Sequence, residues 1–133
     1  MDEAIRDLAN YRLEKAFEEL KNSAMMIESG SFSKSLNCSY YVIFHATRDL
    51  LAFDKFDSRK HSGIISFFIN KYIKSKLIDE ELAKIIMGAQ NYRIKSDHLD
   101  FFIVSKSESI EQYENAKRFV DSLAELINEK LRD

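Results

Sequence analysis

Between Asn91 and Asp100 the chain reads Asn-Tyr-Arg-Ile-Lys-Ser-Asp-His-Leu-Asp, its densest group of chemically able side chains. An arginine can hold a phosphate bidentately and stabilise the charge that builds in a phosphorane-like transition state. A histidine titrates near neutral pH and can carry a proton. Arg93 and His98 therefore supply half of what RNA cleavage requires. Five residues along a regular helix set two side chains about 140° apart in azimuth and roughly 7.5 Å apart along the axis. Two such groups converge on one atom only if the backbone leaves the helix near Ser96, or if the working site combines residues from two subunits. The same residues also fit a plain helix C-terminus, whose dipole attracts Lys95 and His98.

Other familiar sites are absent from the sequence. Gly30, Gly63 and Gly88 are too widely spaced for a dinucleotide fingerprint or a phosphate loop. The residues three before the histidines are Val42, Ser58 and Lys95, so neither a Glu-x-x-His nor a His-Glu-x-x-His metal motif exists. His45 and Asp49 stand one turn apart, but a single helix gives a metal only two ligands from them. His45 reads better as a half-buried polar residue, hydrogen-bonded within a bundle. A net charge of −2 leaves no general attraction for nucleic acid, so any such contact must be local. Between Ser58 and Ile78, Arg59, Lys60, Lys71, Lys74 and Lys76 meet no acidic residue. That run is either a solvated helix face or a strip that guides a phosphate backbone.

The elements that must position these groups are helical. In 133 residues there is no proline and there are three glycines, too little punctuation for an all-β fold, while 45% hydrophobic residues support one compact domain over residues 1–133. Five helices are expected. The first spans Asp2 to Glu28, stops at Ser29-Gly30, and buries Leu13, Ala16, Phe17, Leu20, Ala24 and Ile27. The second, Ser33 to Phe53, is apolar around most of its circumference and belongs in the middle of a bundle or at a subunit interface. After a polar loop, Lys55 to Lys60, a short third helix carries Ile64, Ile65, Phe67, Phe68, Ile69, Tyr72 and Ile73 and ends near Ser75. Asp79 caps a fourth, with Leu82, Ile85, Ile86, Ala89 and Tyr92 facing inward. A linker through Phe101, Phe102, Ile103 and Val104 leads to a capping box, Ser105-Lys106-Ser107-Glu108, which opens the fifth. Short connections favour an antiparallel up-and-down bundle. The lone Cys38 suits a reducing cytoplasm and a core position. The longest apolar run, Tyr40 to Phe44, is far too short to cross a bilayer.

Three blocks of the sequence resemble the HEPN family: Ser39-Tyr40-Tyr41-Val42-Ile43-Phe44-His45-Ala46-Thr47-Arg48-Asp49-Leu50-Leu51, then Lys60-His61-Ser62-Gly63, then Tyr92-Arg93-Ile94-Lys95-Ser96-Asp97-His98 with Asp100-Phe101-Phe102. The resemblance covers nearly the whole chain and is strongest to small stand-alone prokaryotic members. It implies an all-α antiparallel bundle, a four-helix core plus a short helix, that forms a symmetric homodimer. Many relatives are ribonucleases whose motif is an arginine, four to six residues, then a histidine, and Arg93 and His98 match it. By this likeness His98 moves the proton at the ribose, Arg93 clamps the scissile phosphate, and Lys95, Ser96 and Asp97 contact the substrate. The product is a 2′,3′-cyclic phosphate, made without a metal or other cofactor. The likeness further implies a minimal nucleotidyltransferase as the antitoxin of a toxin–antitoxin pair, or as the partner of a non-catalytic nucleotide-binding module. Two positions depart from the active pattern: Ile94 follows the motif arginine, and Asp100 stands where one toxin subgroup has tyrosine.

Overall fold

Helix ends form where a side chain or a left-handed residue satisfies the orphaned backbone groups. The computed structural model describes residues 2–99 and 102–132; Asp100 and Phe101, part of the expected linker, lie outside the described residues. Its helices are α1 (Glu3–Glu28), α2 (Phe32–Ala52), α3 (His61–Phe68), α4 (Glu80–His98) and α5 (Lys106–Arg132), with a π-helical turn, Ile69–Ile73, continuing α3. No strand occurs among the described residues.

The caps are those the side chains dictate. Asp2 accepts from the Ala4 amide and Asp79 from the Glu81 amide, each at 2.9 Å. Ser105 and Glu108 form a reciprocal capping box, with both bonds at 3.1 Å. Gly30, at φ +79°, closes α1 in a left-handed turn that lets Ser31 N–H reach back to the Met26 carbonyl at 2.8 Å.

Helix α2 runs antiparallel to α1 and to α4. The α1–α2 pair is sealed by small residues: Ser23 Oγ lies 2.9 Å from Ser35 Oγ and 2.8 Å from Ser39 Oγ, all three buried. Such short side chains let the two backbones approach closely while pairing their own hydroxyls. At the other end, Arg12 donates to the Arg48 carbonyl at 3.0 Å. Helices α2 and α5 run parallel and touch across the middle, with Ser109 near Phe32 at one end and Lys130 over Phe53 at the other. Phe68 from α3 packs on Phe119 from α5, and Leu82, Ile85, Ile86 and Ala89 turn α4 inward.

Of the two places expected for α2 the structure shows the middle of the bundle, and two other expectations need correction. The apolar circumference of α2 is used up inside one chain, because α1, α3, α4 and α5 all pack on it. Its hydrophobicity therefore says nothing about a second copy. On α1, Phe17 is 41% exposed, and Ser23 takes a buried place instead. The basic run also divides: Arg59 and Lys60 precede α3, whereas Lys71, Lys74 and Lys76 lie at or beyond its π-turn, with Lys71 bound to Asp54. Some 18 Å of helix separates the two groups. Among the described residues no helix is long and apolar enough to cross a membrane.

Candidate active site

The candidate residues ride the last turns of α4. That helix does not break between Arg93 and His98, contrary to one of the two arrangements their chemistry requires; it stays helical through His98 and ends at Leu99, at φ −108° and ψ 120°. The reason is local. Arg93 Nε and Asp97 Oδ2, one turn apart, pair at 3.3 Å across Ser96. Lys95 and His98 sit in the last turn, where the dipole favours cations.

Among the described residues Arg93 and Asp97 are held, by one another, while no such contact ties Lys95, Ser96 or His98. Arg93 is anchored on two sides, by Asp97 and by a hydrogen bond from Nη1 to Asn37 Oδ1. Its guanidinium lies over the rings of Tyr40 and Tyr41, 5.8 and 5.6 Å from their centroids. Asn37, Tyr40 and Tyr41 share one face of α2 through their i, i+3, i+4 spacing. Its side chain is still 30% exposed, so an anion can reach it. Lys95, Ser96 and His98 are exposed beside it. With the helix intact, the azimuth of about 140° between Arg93 and His98 stands. The structure brings Arg93 and Asp97 together and leaves His98 apart from them.

Tyr40 also meets a histidine with no role assigned from the sequence. Tyr40 Oη is 2.5 Å from His61 Nδ1. The His61 ring packs on Phe44 with centroids 3.9 Å apart. Burial raises the Tyr40 phenol to about 12 despite the nearby Arg93, so it keeps its proton. Burial, reinforced by Arg93 and Arg48, lowers the pKa of His61. The available sign was the i, i+4 placement of Tyr40 and Phe44 on α2, which presents both rings to one neighbour.

The remaining histidine, His45, is half-buried as its position predicts, but no hydrogen bond reaches its ring among the described residues; it tilts against Tyr41 instead. Burial lowers its pKa. Asp49, one turn on, is fully buried, and neither carboxylate oxygen has a hydrogen-bond partner among the described residues. Among the described residues no three His, Cys, Asp or Glu side chains are grouped to hold a metal ion. Cys38 is only half-buried, and burial together with Glu19 raises its thiol to about 11.

An all-α bundle with an anchored arginine and a histidine in the last turns of one helix defines a class that can be checked against known proteins. The model of the HEPN domain family matches residues 9–130, and the chain belongs to that family. A protein of Methanocaldococcus jannaschii named "Putative toxin" is 30% identical over 98% of this chain and 97% of its own length. A second protein of that organism with the same description is 32% identical over 73% of this chain and 66% of that protein. A UPF0332 protein of Pyrococcus horikoshii is 36% identical over 56% of this chain and 52% of its own.

Proposed function

We propose that this HEPN protein is a metal-independent endoribonuclease, the toxin of a toxin–antitoxin pair, which cuts RNA in a cleft between two copies of the chain. The observation that carries the reading is the fixed, partly exposed guanidinium of Arg93 on a helix that also displays His98. Family membership and the name given to the Methanocaldococcus relatives support it.

The intact helix supports a site shared between two copies. Since Arg93 and His98 of one copy diverge, Arg93 works with His98 of a second copy related by a twofold axis. Arg93 holds the non-bridging oxygens of the scissile phosphate, and Asp97 keeps the guanidinium in place. His98 takes the proton of the ribose 2′-hydroxyl, whose oxygen attacks phosphorus. The bond to the 5′-oxygen breaks and that oxygen takes a proton from water, leaving a 2′,3′-cyclic phosphate, while His98 returns its proton to solvent. Lys95 and Ser96 contact the neighbouring backbone. A minimal nucleotidyltransferase is the expected antitoxin.

The test is RNA cleavage in excess EDTA. Wild type should produce cyclic-phosphate ends and His98→Ala should lose at least a hundredfold in rate, within the range for loss of a general acid–base group. Equal residual cleavage by the two proteins would end the assignment.

A further inference from the structure

We propose that His61 and Arg93 form a phosphate clamp within each copy, in which His61 donates a hydrogen bond from Nε2 to the RNA phosphodiester that Arg93 holds. The choice of RNA as ligand rests on the nuclease reading; the clamp itself rests on the following geometry. Three elements converge on Tyr40. Its ring underlies the Arg93 guanidinium, and its hydroxyl meets His61 at the start of α3. One buried aromatic thus sets the positions of two cationic or donor groups carried by different helices.

The Tyr40 hydrogen bond also fixes what His61 can offer. The Tyr40 hydroxyl has no other hydrogen-bond acceptor among the described residues, so donating its proton to Nδ1 satisfies both groups and leaves the neutral ring's own proton on Nε2. The charged groups around it, Arg93 from α4 and Arg48 from α2, both disfavour imidazolium. What remains is a neutral N–H donor held against Phe44, a group suited to polarising an anionic oxygen without giving up its proton. The ring is exposed and no hydrogen bond to Nε2 exists among the described residues.

The surroundings fit an extended phosphate chain rather than an isolated ion. His61 lines an open groove of about 420 Å³ with Arg48, Asp57, Ser58 and Arg59. Asp57 is occupied by Arg48 through bonds of 2.7 and 3.2 Å. Arg59 and Lys60 are exposed and have no carboxylate partner among the described residues. A strand held at Arg93 and His61 would carry its next phosphates past these two side chains.

The test uses histidine NMR on the wild-type protein, titrated with a single-stranded 2′-O-methyl oligoribonucleotide that cannot be cleaved. The clamp predicts that the His61 resonances move on binding and that the pKa of His61 rises, because a bound anion favours imidazolium. In Arg93→Ala the His61 response should be lost, and affinity should fall roughly ten- to a hundredfold. Tyr40→Phe, which keeps the ring but frees His61 Nδ1, should weaken the response while the fold persists. If the oligonucleotide moves His98 and leaves His61 unchanged, or if His61 responds equally in Arg93→Ala, the clamp is wrong. Cleavable RNA in the same samples separates the two claims: absence of cyclic-phosphate product from wild type rejects the nuclease, while the His61 titration still decides the clamp.

Discussion

Asp49 offers a sharp test of the packing around α2. Its carboxylate is fully buried, its oxygens have no hydrogen-bond partner among the described residues, and Arg12, the cation that acts on it, is engaged by the Arg48 carbonyl and Asp57. Desolvation outweighs the attraction of Arg12 and pushes the Asp49 carboxyl from 3.8 up to about 8. The folded state therefore holds this proton across a range in which the unfolded chain releases it. Below pH 4 the group is neutral in both states and costs nothing; as pH rises to about 8, stability falls by about 1.4 kcal/mol per pH unit. By pH 7 the loss is on the order of 4 kcal/mol, a large share of a small domain's total stability. Asp49→Asn removes the titration while keeping the shape. Urea unfolding of both proteins at pH 5, 6, 7 and 8 should show the variant gaining on wild type by about 1.4 kcal/mol at each step up to pH 7. Parallel stabilities across the range, or a variant that is less stable throughout, would mean that Asp49 is ionised and paired with Arg12, and the reasoning would fail.

Other consequences follow from single contacts. A Cβ on Gly63 would come within 2.7 Å of Ser58 Oγ and 3.2 Å of Ser58 Cβ; turning the Ser58 side chain relieves the first contact, but the second still needs the Ser58 backbone to give by a few tenths of an ångström. Gly63→Ala should displace the loop before α3 and change the His61 NMR signals in the free protein. Asp79→Ala removes the cap of the helix that carries Arg93 and should cost about 1 kcal/mol, read as a lower Tm. With its thiol raised to about 11, Cys38 should react with iodoacetamide at pH 8 far more slowly in the folded protein than in urea.

Much of the fold was legible because helix ends and helix faces are local matters. Asp79, Ser105 with Glu108, and Gly30 announce their caps by residue type, and the inward set on α4 follows the helical period. Tertiary choices were not legible. Phe17 and Ser23 exchange their expected places because α1 meets α2 through a seam of small hydroxyls, and the 3.6-residue period cannot tell which edge of a stripe a neighbour will cover. At the site, Arg93 and His98 were conspicuous as a motif, but the continuity of α4 between them depends on the Arg93–Asp97 pair and on the helix end at Leu99. His61 stands in a block of the family resemblance, but its role is not legible there because it arises at Tyr40 on α2, more than twenty positions away in the chain.

If Arg93 of one copy acts with His98 of another, two inactive variants should complement each other in a mixed dimer. Arg93→Ala and His98→Ala proteins should each be inactive on RNA in EDTA. Unfolded together and refolded as an equal mixture, about half of the dimers pair one variant with the other, and each of these rebuilds one of its two sites. Cleavage should return to about a quarter of the wild-type rate, with cyclic-phosphate ends. A mixture as inactive as its components would contradict the shared site, and cleavage by His98→Ala alone at the wild-type rate would contradict the role of His98.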